Sequence, residues 1–214
     1  MSYATIMHVY NNAEYLPRVL PAILDQTEPP IGLYIVDDDS TDQTPDIIKS
    51  YDIPSICLKD YEKEPYKRRA NAFNIATLKA RQTYPDAQHF LKVDGDTLIS
   101  PDYAEKLLPH MVPTVAACSG VSTLYHKTRD LNNGAVLYRV RTLPQAQRIY
   151  GWDREIQLTL IKSGYRIQVE PAATYTDLRP PGVMKPPIPR VIRNRVNKRL
   201  ASVEGIVRRT LKWA

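Results

Sequence analysis

The sequence predicts an α/β protein, a mostly parallel central sheet with helices on both faces. Two observations predict it. Short apolar runs with β-branched content, at 4–10, 33–36, 55–58 and 89–93, alternate with stretches of helical period, the pattern of parallel strands joined by helical crossovers. Carboxylates directly follow two of these runs, as Asp37-Asp38-Asp39 and as Asp94-Gly95-Asp96. Open α/β sheets bind ligands at the carboxyl ends of their strands.

Length and composition set the frame. A chain of 214 residues can bury one real core, with room for an appendage. No apolar run approaches the ~20 residues that span a bilayer, and no basic-then-apolar leader opens the chain. Cys57 and Cys118 have no metal-ligand spacing and are expected to be reduced, buried thiols of a cytoplasmic protein. The net charge of +6 is uneven: residues 186–214 hold eight Arg and Lys against one Glu, so the first 185 residues carry about −1.

Residues 4–10 form the first strand, closed by Asn11-Asn12. A helix over 13–26 follows from the spacing of Leu16, Val19, Leu20, Ile23 and Leu24, with Asn12 as its cap, Pro17 early and a kink at Pro21. Glu28-Pro29-Pro30 breaks the chain before the strand 33–36, and Thr44-Pro45-Asp46 starts a second helix. After the strand 55–58, a polar loop from Lys59 to Arg69 leads into an Ala-rich helix over 69–80. Beyond the strand 89–93, residues 102–108 are helical, 115–121 and 135–138 are strands around a turn at Asn132-Asn133-Gly134, and 152–163 is a helix closed by Gly164. The last strand is 165–169, and prolines between Arg179 and Pro189 make stiff connectors.

Asp94 and Asp96, two apart where a strand gives way to a loop, can converge on one point beyond the strand end. Two hard oxygen ligands there suit Mg²⁺ or Mn²⁺, which take further ligands from water and substrate phosphates. An Asp-Gly turn without metal is the plainer alternative.

Taken in order, the motifs resemble family 2 glycosyltransferases of GT-A (Rossmann-like) fold over roughly residues 3–177. They are Thr5 to Asn12, with His8 where Pro is usual; Gln26-Thr27; Ile35 to Asp42, with Asp39 in place of Gly; Arg69 with Ala72-Phe73-Asn74; Asp94-Gly95-Asp96; and Gly151-Trp152-Asp153-Arg154-Glu155 before Gly164-Tyr165-Arg166-Ile167. Asp tolerates the left-handed backbone that Gly would supply at position 39.

The resemblance implies a single GT-A domain over 1–180, residues 1–100 holding a nucleotide-diphosphate sugar (UDP-sugar favoured) and 101–180 an acceptor, glycan or lipid-linked. It implies an inverting transfer with a divalent metal. Donor contacts fall on His8, Tyr10, Asn11, Asp38, Arg69, Asn74 and Asp94, and metal contacts on Asp96 with Asp94. Asp153 is the expected general base and Glu155 its rival. Trp152 is expected to stack on a sugar, and Asp177 stands in for the His the family often has after its last strand. Asp38 would accept an imide N–H of the base, its alternative being to cap its own turn with Ser40.

The tail steps Ile188, Ile192, Val196, Leu200, Val203, Val207 and Leu211 along one stripe, with basic residues around it. A basic amphipathic helix over 188–213, within an appendage 181–214, reads as binding an anionic membrane surface from its inner side, or as packing on its own domain or a partner. Nucleic acid is the weaker reading, for lack of interleaved aromatics. Against the transferase stand two other readings, a nucleotidyltransferase, which would want a Gly-rich phosphate loop near residue 10, and a binding module without turnover.

Overall fold

The structure, a computed structural model, describes residues 1–59, 65–124, 134–146 and 151–179. The basic tail, His126 and the Asn132-Asn133 part of the predicted turn lie outside the described residues.

Among the described residues the strands and α-helices follow in the order β1 (Tyr3–Val9), α1 (Leu16–Leu24), β2 (Leu33–Asp37), α2 (Thr44–Ser50), β3 (Ser55–Cys57), α3 (Pro65–Thr83), β4 (His89–Asp94), β5 (Thr97–Ile99), α4 (Tyr103–Leu107), β6 (Val115–Ser122), β7 (Ala135–Arg139), α5 (Trp152–Lys162) and β8 (Arg166–Asp177). These described strands form one eight-stranded sheet of order β3-β2-β1-β4-β7-β6-β8-β5. From β3 to β4 every neighbouring pair is parallel, because α1 to α3 return the chain to the same end each time. β7 then enters antiparallel to β4, and β6 antiparallel to β7, so the second half is mixed.

Each face of the sheet has its own core. Leu16, Val19, Leu20 and Ile23 of α1 bury one stripe against Met7, Val9, Ile35, Leu91 and Val93, with α4 on the same side. Phe73, Ala76 and Ala80 of α3 and Trp152, Ile156 and Leu160 of α5 cover the other, against Ile6, Val36, Phe90 and Tyr138. Alternate strand residues therefore point into different cores, and the apolar runs are continuous because both faces are covered.

Four expectations are corrected. Asn12 does not cap α1: the helix starts at Leu16, and the Asn12 side chain instead accepts from the Tyr10 amide at 2.9 Å. The polar stretch 59–69 is not all loop, since α3 begins at Pro65, where fixed φ and a missing N–H suit a first helical position. β8 runs on past Val169 to Asp177. Its register against β6 shifts between Ser119 and Val121, so Pro171 sits in an irregularity, the one place a strand tolerates it. Cys118 is buried, which pushes its thiol up to about 12, but Cys57 on the edge strand β3 is exposed.

Candidate active site

The carboxyl ends of β1 and β2 are stitched together by side chains. Asn11 and Asp39 both take left-handed backbone, at φ 51° and 64°, so each strand turns sharply as it ends. Asp37 accepts from the amide and hydroxyl of Ser40, and Ser40 Oγ accepts from the Asn11 amide at 3.0 Å. Asn11 Oδ1 accepts from the Thr41 amide at 2.8 Å, and Thr44 Oγ1 from the Asn12 amide at 2.8 Å. Asp42 accepts from the amides of Ala13 and Thr44. Its desolvation raises the Asp42 pKa, but these hydrogen bonds outweigh that and hold it below the usual value.

Turn capping thus falls to Asp37, and Asp38 turns elsewhere. Asp38 is nearly buried, with its side chain 8% exposed, and meets the Arg68 guanidinium at 3.2 Å, while Arg68 Nη2 also donates to the Asp38 carbonyl at 2.7 Å. The same guanidinium lies over the ring of Tyr10, 5.7 Å from its centroid. Tyr10 is half-exposed, and Arg68 joins its ring to the Asp38 carboxylate. Arg68, not Arg69, is the cation here. Helical phase decides between neighbours, and that phase follows from a helix beginning at Pro65.

At the end of β4, Asp94 lies beside His8 of β1 in register. Lys92, two residues back and so on the same side of the strand, places Nζ 2.6 Å from Asp94 Oδ1, its side chain only 6% exposed. Gly95 makes the turn, and a Cβ there would come within 2.8 Å of the Asn12 side chain, so Gly95 lets the β4 turn touch the β1 loop. Asp96 follows, its carbonyl accepting from the Leu178 amide and its carboxylate paired with Arg179 at 2.9 Å. Asp177 stands across the ladder at Thr97. Burial first, then the charges of Asp177 and Asp94, raise the Tyr175 hydroxyl. Among the described residues no three His, Cys, Asp or Glu are gathered as a metal cluster. Asp96 and Asp94 nevertheless offer the hard oxygens that Mg²⁺ or Mn²⁺ accept when phosphates complete the shell, and in that chemistry they fit such an ion.

Gly151, at φ 77°, turns the chain into α5, so Asp153 and Glu155 fall in its first turn. Asp153 is half-buried and accepts from the Arg154 amide at 2.8 Å. Behind burial, the charges of Asp153 and Asp94 both raise the hydroxyl of Tyr138. Glu155 is buried, 7% exposed. Trp152 is buried against Phe73, ring centroids 4.7 Å apart, and has no face left for a sugar, a correction that follows from its place on the helix. Asn74 is likewise engaged: both ends of its amide bond the backbone of Ala146, holding the segment before α5.

The structure therefore brings Asn11 and Asp38 together at the ends of β1 and β2, with Tyr10 under Arg68, and places His8 beside Asp94 in register, with Asp96 just beyond and Asp177 across the ladder at Thr97, while Asp153 opens α5. Arg68, Lys92 and Arg179 are additions that sequence reading missed. Period-two alternation could have found Lys92, whereas Arg179 meets Asp96 only through the pairing of β8 with β5.

The model of the family described as Glycosyl transferase family 2 matches residues 5–162. No curated protein matches the chain. Among solved structures it is similar to residues 1–349 of TarS from S. aureus, at 20% identity over 82% of this chain and 60% of that one, with a TM-score of 0.66. It is also similar to the mannosyltransferase PcManGT from Pyrobaculum calidifontis, solved in complex with GDP-Man and Mn²⁺, at 19% identity over 85% and 58%, with a TM-score of 0.70. Glucosyl-3-phosphoglycerate synthase from Mycobacterium tuberculosis, solved with Mn²⁺, UDP and phosphoglyceric acid, matches at 12% identity over 84% and 72%, with a TM-score of 0.63. The chain spans about 60% of the length of the first two, and these likenesses show the shared fold.

Proposed function

The chain belongs to glycosyl transferase family 2, and from that premise we propose that it moves a sugar from a nucleotide-diphosphate donor to an acceptor hydroxyl or phosphate, with inversion. The observation that carries the reading is the set of carboxylates at element ends: Asp38 after β2, Asp94 closing β4 and Asp96 just after it, Asp153 at the start of α5.

Tyr10 offers the face of its ring to a base and Asp38 an acceptor for an imide N–H, which favours uracil, with Arg68 as the cation of that pocket. Asp94, oriented by Lys92, accepts from the ribose. Asp96, with Asp94 beside it, would hold Mg²⁺ or Mn²⁺, which supplies Lewis-acid charge to the leaving diphosphate. Asp153 takes the proton of the acceptor hydroxyl, since an inverting transfer needs a carboxylate opposite the leaving group. Glu155 is too buried for that task, and the greater exposure of Asp153 favours it. Residues 1–100 then form the donor half and 101–180 the acceptor half, with a glycan or lipid-linked acceptor. The basic stripe at 188–213 suits an anionic membrane surface, and no described helix is long and apolar enough to cross one.

Calorimetry with UDP-, GDP- and dTDP-sugars, with and without Mn²⁺, tests the donor. Asp96→Ala is expected to lose metal-dependent binding. Asp153→Asn is expected to bind donor normally but transfer ~10²-fold more slowly. Unchanged donor affinity in Asp96→Ala, or normal transfer by Asp153→Asn, overturns the assignment.

A further inference from the structure

Two carboxylates at the end of β4 each hold a cation, and the two cations differ in kind. Lys92 reaches Asp94 from inside the sheet, with 6% of its side chain exposed, and its strand is fixed on both sides by β1 and β7. Arg179 reaches Asp96 from the chain just past the end of β8, with a third of its side chain exposed. Lys92 is built in. Arg179, on a long side chain beyond the last strand residue, can leave without disturbing the sheet.

From this asymmetry we infer that Arg179 is the resident counter-cation of Asp96, and that a divalent metal must displace it to bind there. The inference rests on the metal reading of Asp96 above. An anion between two claimants binds each less tightly for the presence of the other, so Arg179 sets the metal affinity of the free protein. Once displaced, the guanidinium is left without its carboxylate, and it would be available to a phosphate, which guanidinium recognises as readily as carboxylates. Metal and donor then bind cooperatively, since the donor gives Arg179 a second anion. Competition for Asp96 makes a prediction of unusual sign: removing a positive residue from the site strengthens metal binding in the absence of donor, where the loss of a merely structural contact would weaken it.

The test is titration of the full chain with Mn²⁺, without donor, read by calorimetry and by the paramagnetic resonance of bound Mn²⁺. Arg179→Gln is expected to bind Mn²⁺ about fivefold more tightly than the unmodified protein, the scale of one partly exposed ion pair. Arg179→Lys, which keeps the charge, is expected to stay near the unmodified affinity, and so is Arg166→Gln, which removes the same charge at the far end of β8. Adding UDP should then tighten Mn²⁺ binding more in the unmodified protein than in Arg179→Gln. Equal or weaker Mn²⁺ binding by Arg179→Gln overturns the inference while leaving Asp96 as a metal ligand. If neither protein binds Mn²⁺ even with UDP present, both the inference and the metal reading beneath it fall.

Discussion

At its amino end, β4 buries His89 to 1% exposure, with neither ring nitrogen hydrogen-bonded among the described residues. At its carboxyl end, the same strand leads into Asp94 and Asp96, both partly open and both paired with a cation. At one end the strand's own side chain stays neutral, and at the other its carboxylates collect cations. Burial, then the nearby Arg139 charge, lowers the His89 pKa to about 4, so the ring stays neutral where an ordinary histidine would begin to titrate. The difference teaches how a single strand divides its work. A buried end whose own side chain stays neutral anchors the fold, while a more accessible end can exchange its counter-ions for ligands.

The largest expected effect tests the neutral end. His89 has a folded pKa below its unfolded value near 6.5, so above that value the ring is neutral in both states and contributes no pH dependence. As pH falls from 6.5 through 4, only the unfolded chain takes the proton, and stability should drop by about 3 kcal/mol. Urea unfolding at stepped pH measures this, and His89→Phe should remove that part of the slope. An unchanged slope in His89→Phe would mean that His89 does not resist charging, and the contrast between the ends would be lost.

A smaller effect tests whether the charged end is mechanically tied to the stitched loops of β1 and β2. Gly95→Ala drives a Cβ into Asn12, which holds the Tyr10 amide. A loss of about 2 kcal/mol in stability, the range of overpacking, is expected, together with weaker donor binding. Loss of stability with unaltered donor affinity would show the two regions to be independent.

The smallest effect separates the two cations. Lys92→Met removes an ion pair but also the desolvation penalty of a buried ammonium, and the Asp94 carboxylate it leaves is 29% exposed and can be hydrated, so stability should stay within about 1 kcal/mol of the original. Donor affinity should fall nonetheless, because Asp94 loses the group that orients it. A melting curve beside a donor titration decides: collapse of the fold would make Lys92 a structural residue only.

The alternation of strands and helices was legible because apolar period is a local property, and it held from β1 to β4. Asp39 was legible for the same reason, since its left-handed backbone is a demand of the turn itself. β5, with three residues, was not, because nothing local distinguishes so short a strand until β8 pairs with it. Nor was the length of β8, whose Pro171 reads as a stop unless an irregularity in the ladder receives it.

The site divides along the same line. By itself the sequence determined that carboxylates stand at strand ends, as Asp38, Asp94 and Asp96, and that Asp153 opens a helix. It also carried an ordered set of motifs that resembles the family. Tertiary structure alone decided what each carboxylate meets. It gave Arg68 rather than Arg69 to Asp38, put Arg179 on Asp96 across a strand pairing, and turned Trp152 and Asn74 inward to packing and anchoring. The physical reason is range. Backbone conformation and periodic burial are set within a few residues, whereas an ion pair or a buried face depends on helix phase and strand register, which are fixed only when distant segments pack.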